Sequence, residues 1–126
     1  MVFDNLFSQN KIIGTAMNAA VVRSNVINNN IANADVPGFT KSVVNFENML
    51  SQQLTEAKTT GKLNLGNVKP VVNYSLQGFN YRIDGNNVDV ETEMVELYQN
   101  SAKYDVMTSS LMSNYKRINL VMTSMK

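Results

Sequence analysis

The C-terminal third of the chain carries an uninterrupted pattern of apolar side chains spaced alternately three and four residues apart. Between Val88 and Lys126 there is no glycine or proline to interrupt a helix. Such a spacing, kept over more than four heptads, is typical of a long helix that presents one stripe to a partner helix. We therefore predict a helix from about Glu91 to Met125, about 50 Å long at 1.5 Å per residue.

The predicted stripe has two columns, one wholly apolar and one that mixes large and small side chains. The apolar column contains Leu97, Tyr104, Leu111, Ile118 and Met125, and the mixed column contains Met94, Ser101, Thr108, Tyr115 and Met122. The small residues of the mixed column would let a partner helix approach closely.

The N-terminal segment supplies a suitable partner, with a narrower face of alanine and isoleucine. We predict an N-terminal helix from roughly Lys11 to Asn33, whose stripe contains Ile13, Ala16, Ala20, Arg23, Ile27 and Asn30. In this hypothesis Ile13, Ala16, Ala20 and Ile27 pack against the apolar column, while Arg23, Lys103 and Arg117 face neighbouring subunits. The alternative is that both stripes form the core of a monomeric bundle. The length of the C-terminal helix and the small bulk of the middle favour contacts with other molecules.

The middle of the chain reads as a connector. Ser42 to Leu54 suits a short amphipathic helix or an ordered loop, and residues 55–67 have the composition of a mobile surface segment. Residues 71–83 are rich in strand formers broken by Gln77-Gly78, which favours a small hairpin or an extended arm. A turn at Asp84-Gly85 is then followed by Asp89 as the N-cap of the C-terminal helix.

These elements predict a mainly α protein with long terminal helices paired as an antiparallel coiled coil and a short, partly extended connector. We divide the chain into an N-terminal helix with its following turn (1–41), the connector (42–83) and the C-terminal helix (84–126). Together they are expected to form one axial core domain.

Composition argues against several classes of function. The chain has no cysteine and no histidine, which removes disulfides, thiolate chemistry, the usual zinc ligands and the commonest general base. A net charge of +1, with interspersed charges, does not suggest nucleic-acid binding. No apolar run is long enough for membrane insertion, and the N-terminus does not resemble a cleaved signal peptide. We expect no catalysis, no cofactor and no small-molecule substrate.

One acidic loop invites a metal-site hypothesis, which its spacing does not support. Asp84, Asn86, Asp89 and Glu91 could supply oxygen ligands. An EF-hand loop, however, requires glycine at its sixth position, and here glycine is second. A turn followed by a helix cap is the better interpretation.

Two segments resemble the bacterial flagellar rod and hook family. The stretch NNIANADVPGFTK is similar to the N-terminal family pattern N-x-A-N-x-x-T-P-G-[YF], although Val36 stands where threonine is usual. Its matching positions are Asn30, Ala32, Asn33, Pro37, Gly38 and Phe39. The stretch DGNNVDVETEM is similar to the segment that precedes the C-terminal helix in proximal rod proteins. Its matching positions are Asp84, Gly85, Asn86, Asn87, Val88, Asp89, Glu93 and Met94.

The resemblance implies a structural subunit of the flagellar basal body. Family members pair their terminal helices and stack helically into a tube around the export channel. The implied partners are other copies, other rod proteins, the adaptor to the membrane ring and the export gate. The implied route is unfolded export through the flagellar type III apparatus, without signal cleavage and with folding on assembly. A neighbouring rod protein of the same family, or a soluble coiled-coil adaptor, remains an alternative.

The N-terminal motif also predicts how the first helix ends. Asn30 falls on the stripe, where a buried amide fixes helix register. Asn33 or Asp35 can bond backbone groups freed at the helix end. Pro37 forbids helical continuation and Gly38 permits a turn. Phe39 is then expected to anchor the chain onto an apolar surface.

Overall fold

A computed structural model of the chain describes residues 2–75 and 83–124. These residues form three α-helices, a short 3-10 helix and a two-stranded antiparallel sheet, so the predicted fold class is confirmed. In chain order the elements are α1 (Val2–Ala32), β1 (Ser42–Asn45), α2 (Glu47–Thr60), the 3-10 helix (Leu65–Asn67), β2 (Val71–Tyr74) and α3 (Val90–Ser124).

The long helices α1 and α3 lie side by side and run in opposite directions. Three hydrogen bonds along the pair show this, because the residue number rises in α1 as it falls in α3. They join Asn30 to Glu93, the carbonyl of Ala20 to Asn100, and Asn10 to Asn114.

The predicted start of the first helix is wrong, since α1 begins at Val2 rather than Lys11. No glycine or proline interrupts residues 2–10, and α3 is long enough to pair with them, as the contact between Asn10 and Asn114 shows. The other bounds agree to within one residue wherever the structure describes them, which is the usual scatter at helix ends. Met125, the predicted last residue of the C-terminal helix, lies outside the described residues.

The connector differs from its prediction at its start, whereas β2 forms within the segment predicted to be extended. The segment expected to be one helix or loop contains β1 and then the start of α2. Strand β2 pairs with β1, in the register Ser42 with Tyr74 through Asn45 with Val71. The rest of the predicted hairpin, residues 76–82, lies outside the described part of the chain.

Helix α2 continues through the first half of the segment expected to be mobile. It runs to Thr60, and Gly61 ends it with φ of 70° while its N–H donates to the carbonyl of Ala57 at 2.8 Å. The hydroxyls of Thr55 and Thr60 bond carbonyls four residues earlier, so they remain compatible with the helix. Composition alone suggested a loop, but a helix already begun at Glu47 propagates until a residue can stop it.

A small apolar cluster attaches the connector to α1. Its buried members are Ala19, Phe46 and Val68, with Ala16, Leu50 and Leu65 partly buried around them. Because these side chains come from α1, the start of α2 and the 3-10 region, their burial holds three parts of the chain together.

Arg23 supports the same attachment, which corrects its predicted outward orientation. Its guanidinium donates to the carbonyl of Val44 at 3.3 Å and to Oε2 of Glu47 at 2.6 Å. Burial raises the pKa of the Glu47 carboxyl, but the hydrogen bond from Arg23 and other favourable interactions outweigh this effect, so the pKa lies below its ordinary value.

Candidate functional site: the motif junction

The two sequence motifs meet in space where α1 ends and α3 begins, at a site that we call the motif junction (residues 30–42 and 84–93). A turn from each motif lies against the other. Gly38 and Gly85 have φ of 70° and 81°, a region that favours glycine. The N–H of Gly38 donates to the carbonyl of Asp84 at 2.9 Å, and a Cβ placed on Gly85 would lie 3.7 Å from Cα of Gly38.

Asn86 lies at the centre of the junction with none of its surface exposed. Its amide nitrogen donates to the carbonyls of Asn33, Ala34 and Val36 at 3.0, 2.9 and 2.8 Å. Its Oδ1 accepts from the N–H of Val88 at 2.7 Å. The last carbonyls of a helix have no partner within the helix, and Asn86 donates to carbonyls just after the end of α1. Its bond to Val88 also fixes the backbone just before α3.

A second buried group joins α1 and β1 to α3. The Asn30 amide bonds both backbone groups of Ser42, at 2.8 and 2.9 Å, and donates to Oε2 of Glu93 at 2.9 Å. The other Glu93 oxygen accepts from Nζ of Lys41 at 3.0 Å. Asn30 and Glu93 are each 1% exposed, so this carboxylate depends on its two partners to offset the loss of water. The predicted burial of Asn30 is confirmed.

The start of α3 is capped from within the second motif. Oδ1 of Asp89 accepts from the N–H of Glu91 at 3.1 Å, and its Oδ2 accepts from the hydroxyl of Thr92 at 2.8 Å. The hydrogen bonds from Thr92 hold the pKa of the Asp89 carboxyl below its ordinary value. The predicted N-cap is confirmed. Nearby, the N–H of Lys41 donates to Oδ1 of Asn87 at 2.7 Å.

The structure thus brings together most of the motif residues named from the sequence. Asn33 donates from its side chain to the carbonyl of Asn29 at 2.8 Å, which confirms its predicted bond to the helix end. Val88 is buried and Phe39 is half-buried, whereas Ala32 and Pro37 are exposed at the rim.

Sequence reasoning missed how the central side chains act. Asn86 was expected only as a motif position next to the turn, and Lys41 was given no role, whereas both make hydrogen bonds that join the two motifs. These charged and amide residues are not spaced at a helix or strand period, so a search for periodicity does not detect them. The one available hint was the density of asparagine and acidic residues beside two glycines, in segments far apart in the sequence.

Away from the junction, one predicted column of α3 is displaced by one position. The buried residues of α3 are Glu93, Asn100 and Asn114. Each immediately precedes a member of the mixed column, whose large residues Met94, Tyr115 and Met122 are 39%, 57% and 66% exposed. These three side chains therefore lie outside the buried face that α3 turns towards α1. Apolar periodicity cannot find a helix face whose buried positions are polar and bonded to the partner helix.

The other stripe residues lie closer to their predicted surroundings. On α1, Ala20 and Ile27 are buried, and Ile13 and Ala16 are half-buried. The described members of the apolar column of α3 are half-buried, namely Leu97, Tyr104, Leu111 and Ile118. A half-buried column leaves apolar surface available to other molecules.

Within residues 2–75 and 83–124, no group of three or more acidic side chains is placed to hold a metal ion. No described helix combines the length and apolar character needed to span a membrane. The fold and the junction together define a protein of two long paired helices, with interlocked turns at one end of the pair.

Several known proteins are similar to this chain over most of its length. The model of the flagella basal body rod protein family matches residues 12–40. Flagellar basal body rod protein FlgB of Bacillus subtilis (strain 168) is 34% identical over 116 residues, which cover 88% of this chain and 90% of that protein. FlgB of Borrelia hermsii is 34% identical over 114 residues, with 79% and 84% covered. FlgB of Yersinia enterocolitica is 28% identical over 102 residues, with 71% and 74% covered.

The chain belongs to the class of flagellar basal body rod proteins, because the family match includes most of α1 and the exit turn that forms half of the junction. The similarity to individual rod proteins extends much further, through the connector and α3. Identity of this degree over nine tenths of a relative shows that the chain belongs to the FlgB family.

Proposed function

We propose that this chain is a structural subunit of the proximal rod of the bacterial flagellar basal body, where copies assemble helically with other rod proteins into a tube around the export channel. The observation that supports this most directly is the motif junction. Both family motifs have their central side chains engaged in joining α1 to α3, and the relatives that share the sequence are named as rod proteins.

The junction suits a part that must carry mechanical load. Hydrogen bonds are directional, and a dozen or so of them hold the exit of α1, strand β1 and the entry of α3 in one arrangement. Two helices fixed at one end act as a single stiff unit whose remaining surface is free to contact neighbours. Large exposed side chains such as Tyr98, Val106 and Leu120 are a hazard in an isolated protein and useful in an assembly.

The remaining features of the proposal concern the route and the partners. The chain would pass unfolded through the flagellar type III export apparatus without signal cleavage, and complete its folding on assembly. Its neighbours would include the adaptor to the membrane ring and the export gate. Residues 1–41, 42–83 and 84–126 would serve as one axial core, with a structural rather than a catalytic role and with no cofactor, small-molecule substrate or nucleic acid.

A double variant at the exit of α1 tests this function in the bacterium that carries the chain. Asn33→Ala combined with Gly38→Val removes one helix-end bond and places a branched side chain at positive φ. We expect export of the chain to continue while rod assembly and swimming are lost, as measured by secreted protein, electron microscopy of basal bodies and motility plates. The matched control is Asn28→Ala at an exposed position of α1. Normal motility of the double variant would contradict the proposed role of the junction.

Circular dichroism of the purified chain tests folding on assembly. We expect the isolated chain to be less helical than the structure, and its helicity to rise when rods form. The reason is that the exposed apolar surface is covered only in the assembly. Full helicity with a sharp cooperative melting transition at micromolar concentration is the outcome that argues against it.

A further inference from the structure

A pocket of about 260 Å³ lies between α2 and α3, with α1 as its floor. Its walls are mainly apolar and include Ala16, Ala19, Leu50 and Met107. Asn100 lines it as well and is 5% exposed. The pocket therefore combines apolar walls with a buried amide and with the charged residues Arg23, Glu47 and Lys103, an arrangement that an amphipathic side chain fits.

The amide of Asn100 is only half satisfied within the chain. Its nitrogen donates to the carbonyl of Ala20 at 2.8 Å, whereas its Oδ1 is buried and has no hydrogen-bond partner among the described residues. Buried acceptors are normally paired, so an unpaired one requires an explanation. Because Asn100 lines the pocket, a donor that enters the pocket is a candidate partner for this oxygen.

Charged residues at the rim of the pocket indicate what kind of group could donate a hydrogen bond to Asn100. Arg23 and Glu47 form an ion pair there, and Lys103 adds a positive charge on the α3 side. The rim thus carries two cations and one carboxylate, and favours a ligand with acidic neighbours.

On the opposite side of α3, Tyr98 is 69% exposed within an apolar stripe that also contains Val95 and Val106. Glu91 and Asp105 lie seven residues before and after it, so it is flanked by acidic groups. A tyrosine has an apolar ring and a hydroxyl donor at its tip, and it buries its ring at interfaces while its hydroxyl finds a partner.

The other exposed tyrosines among the described residues match the pocket less well. Tyr115 is 57% exposed but is followed directly by Lys116 and Arg117, which would repel the basic rim. Tyr74 is 72% exposed on β2, where its sequence neighbours are uncharged.

We propose that Tyr98 of one copy inserts into the α2/α3 pocket of the next copy and donates a hydrogen bond to Oδ1 of Asn100. This inference rests on the proposed function and names the surfaces by which two subunits meet. The donor and the pocket are different surfaces of the same chain, so the contact repeats from copy to copy without closing a pair. Tyr98 and Asn100 lie on the same turn of α3. The contact would therefore place the α3 helices of the two copies side by side, at the same height.

Cross-linking tests the contact, and the absence of native cysteine makes it specific. In the bacterium, the chain is replaced by a variant with Leu50→Cys on the pocket wall and Ala102→Cys one turn after Tyr98. Basal bodies are then purified and treated with a short bismaleimide. We expect a ladder of covalent oligomers on denaturing gels, because every copy carries both halves of the contact. The matched control combines Leu50→Cys with Asn119→Cys, one turn after Tyr115, and should give none.

The outcomes separate this inference from the proposed function. Motile cells whose rods give no ladder, or give it only with the control pair, overturn the assignment of surfaces and leave the rod role intact. Absence of the unmodified chain from purified basal bodies, with normal swimming in a deletion strain, overturns both.

Substitution at Tyr98 keeps the proposal testable if the cysteine variants fail to assemble. Tyr98→Phe should lower the number of basal bodies per cell severalfold, since it removes only the hydroxyl, and Tyr98→Ala should lower it further. Tyr74→Ala, at an exposed position of β2, is the control and should leave the number unchanged. Because Tyr98 is exposed, helicity of the purified variant should match that of the unmodified chain. Wild-type basal-body counts in Tyr98→Ala would overturn the proposal.

Discussion

At the motif junction, α1 and α3 are joined by side chains that are almost wholly buried, whereas the other end of the same helix pair leaves large apolar side chains in solvent. Asn86 is 0% exposed and Glu93 is 1% exposed, and both have several partners. Towards the end of α3, Leu120 and Met122 are 70% and 66% exposed. The first region is completed within one chain, and the second offers surface that a neighbour would cover.

The difference also concerns how polar groups are satisfied. At the junction, charged and amide groups have partners from three elements of the chain. At the far end, Asn114 makes one bond to Asn10, whose Nδ2 has no partner among the described residues. We therefore expect slow amide hydrogen exchange around the junction and faster exchange towards the end of α3. The predictions below test this contrast.

The largest effect is expected at Asn86. Asn86→Ala removes the amide contacts to the carbonyls of Asn33, Ala34 and Val36, and the hydrogen bond that Oδ1 accepts from the N–H of Val88. The free energy of unfolding should fall by about 3 kcal/mol, as measured by urea titration followed by circular dichroism. The control is Asn28→Ala, which should change it little. A loss below about 1 kcal/mol would mean that water replaces the amide and that the junction is less closed than described.

The buried carboxylate should give the next largest effect. Lys41→Met leaves Glu93 with Asn30 as its remaining partner, and should lower the free energy of unfolding by about 2 kcal/mol because the charge is no longer offset. Adding Glu93→Met should recover part of this loss. Lys62→Met, at an exposed position, is the control. If the double variant is no better than Lys41→Met, the ion pair is not the cause.

At the far end of the pair, replacing polar residues should stabilise the chain. Asn10→Leu with Asn114→Leu exchanges a single hydrogen bond and an unpaired donor for apolar contact. We expect the free energy of unfolding to rise by about 1.5 kcal/mol, and hydrogen exchange to slow in the second half of α3. Asn18→Leu on the exposed side of α1 is the control. Destabilisation would show that the two ends of the pair are more alike than their burial suggests.

A backbone change at the junction should have a moderate effect. Gly38 has φ of 70° and open space where a Cβ would stand, so Gly38→Ala tests conformation without a steric clash. It should lower the free energy of unfolding by about 1 kcal/mol. The comparison is Gly14→Ala within α1, which should raise stability instead, because alanine is the better helix former. Equal effects in the two variants would exclude a special role for the turn.

The smallest effect is a pH dependence at the start of α3. The pKa of Asp89 is lowered from its ordinary 3.8, so its stabilising contribution is complete above that value and is lost as pH falls through the lower folded pKa. The stability difference between the unmodified chain and Asp89→Asn should be constant above about pH 4 and shrink in more acidic solution. Asp105→Asn, exposed on the same helix, serves as control. A difference that grows on acidification would contradict the cap.

Sequence patterns predicted the elements better than their contacts. The uninterrupted repeat located α3 to within one residue at its start, and the Pro-Gly stop located the end of α1 as closely. The start of α1 was missed because its first turns are defined by a partner helix rather than by a stop signal. The pairing of β1 with β2 joins segments separated by the whole of α2, and four-residue strands carry too little periodicity to reveal it.

The sequence by itself determined that this protein has two long helices, where the first one ends, and that its two motifs belong to the flagellar rod family. These are local properties, set by residue spacing, by Pro37 and Gly38, and by motif identity. Only the tertiary structure decided that the motifs interlock through Asn86, Asn30 and Glu93, and that polar rather than apolar residues occupy the buried column of α3. The physical reason is that a polar side chain can be buried only where the fold brings a partner from a distant part of the chain.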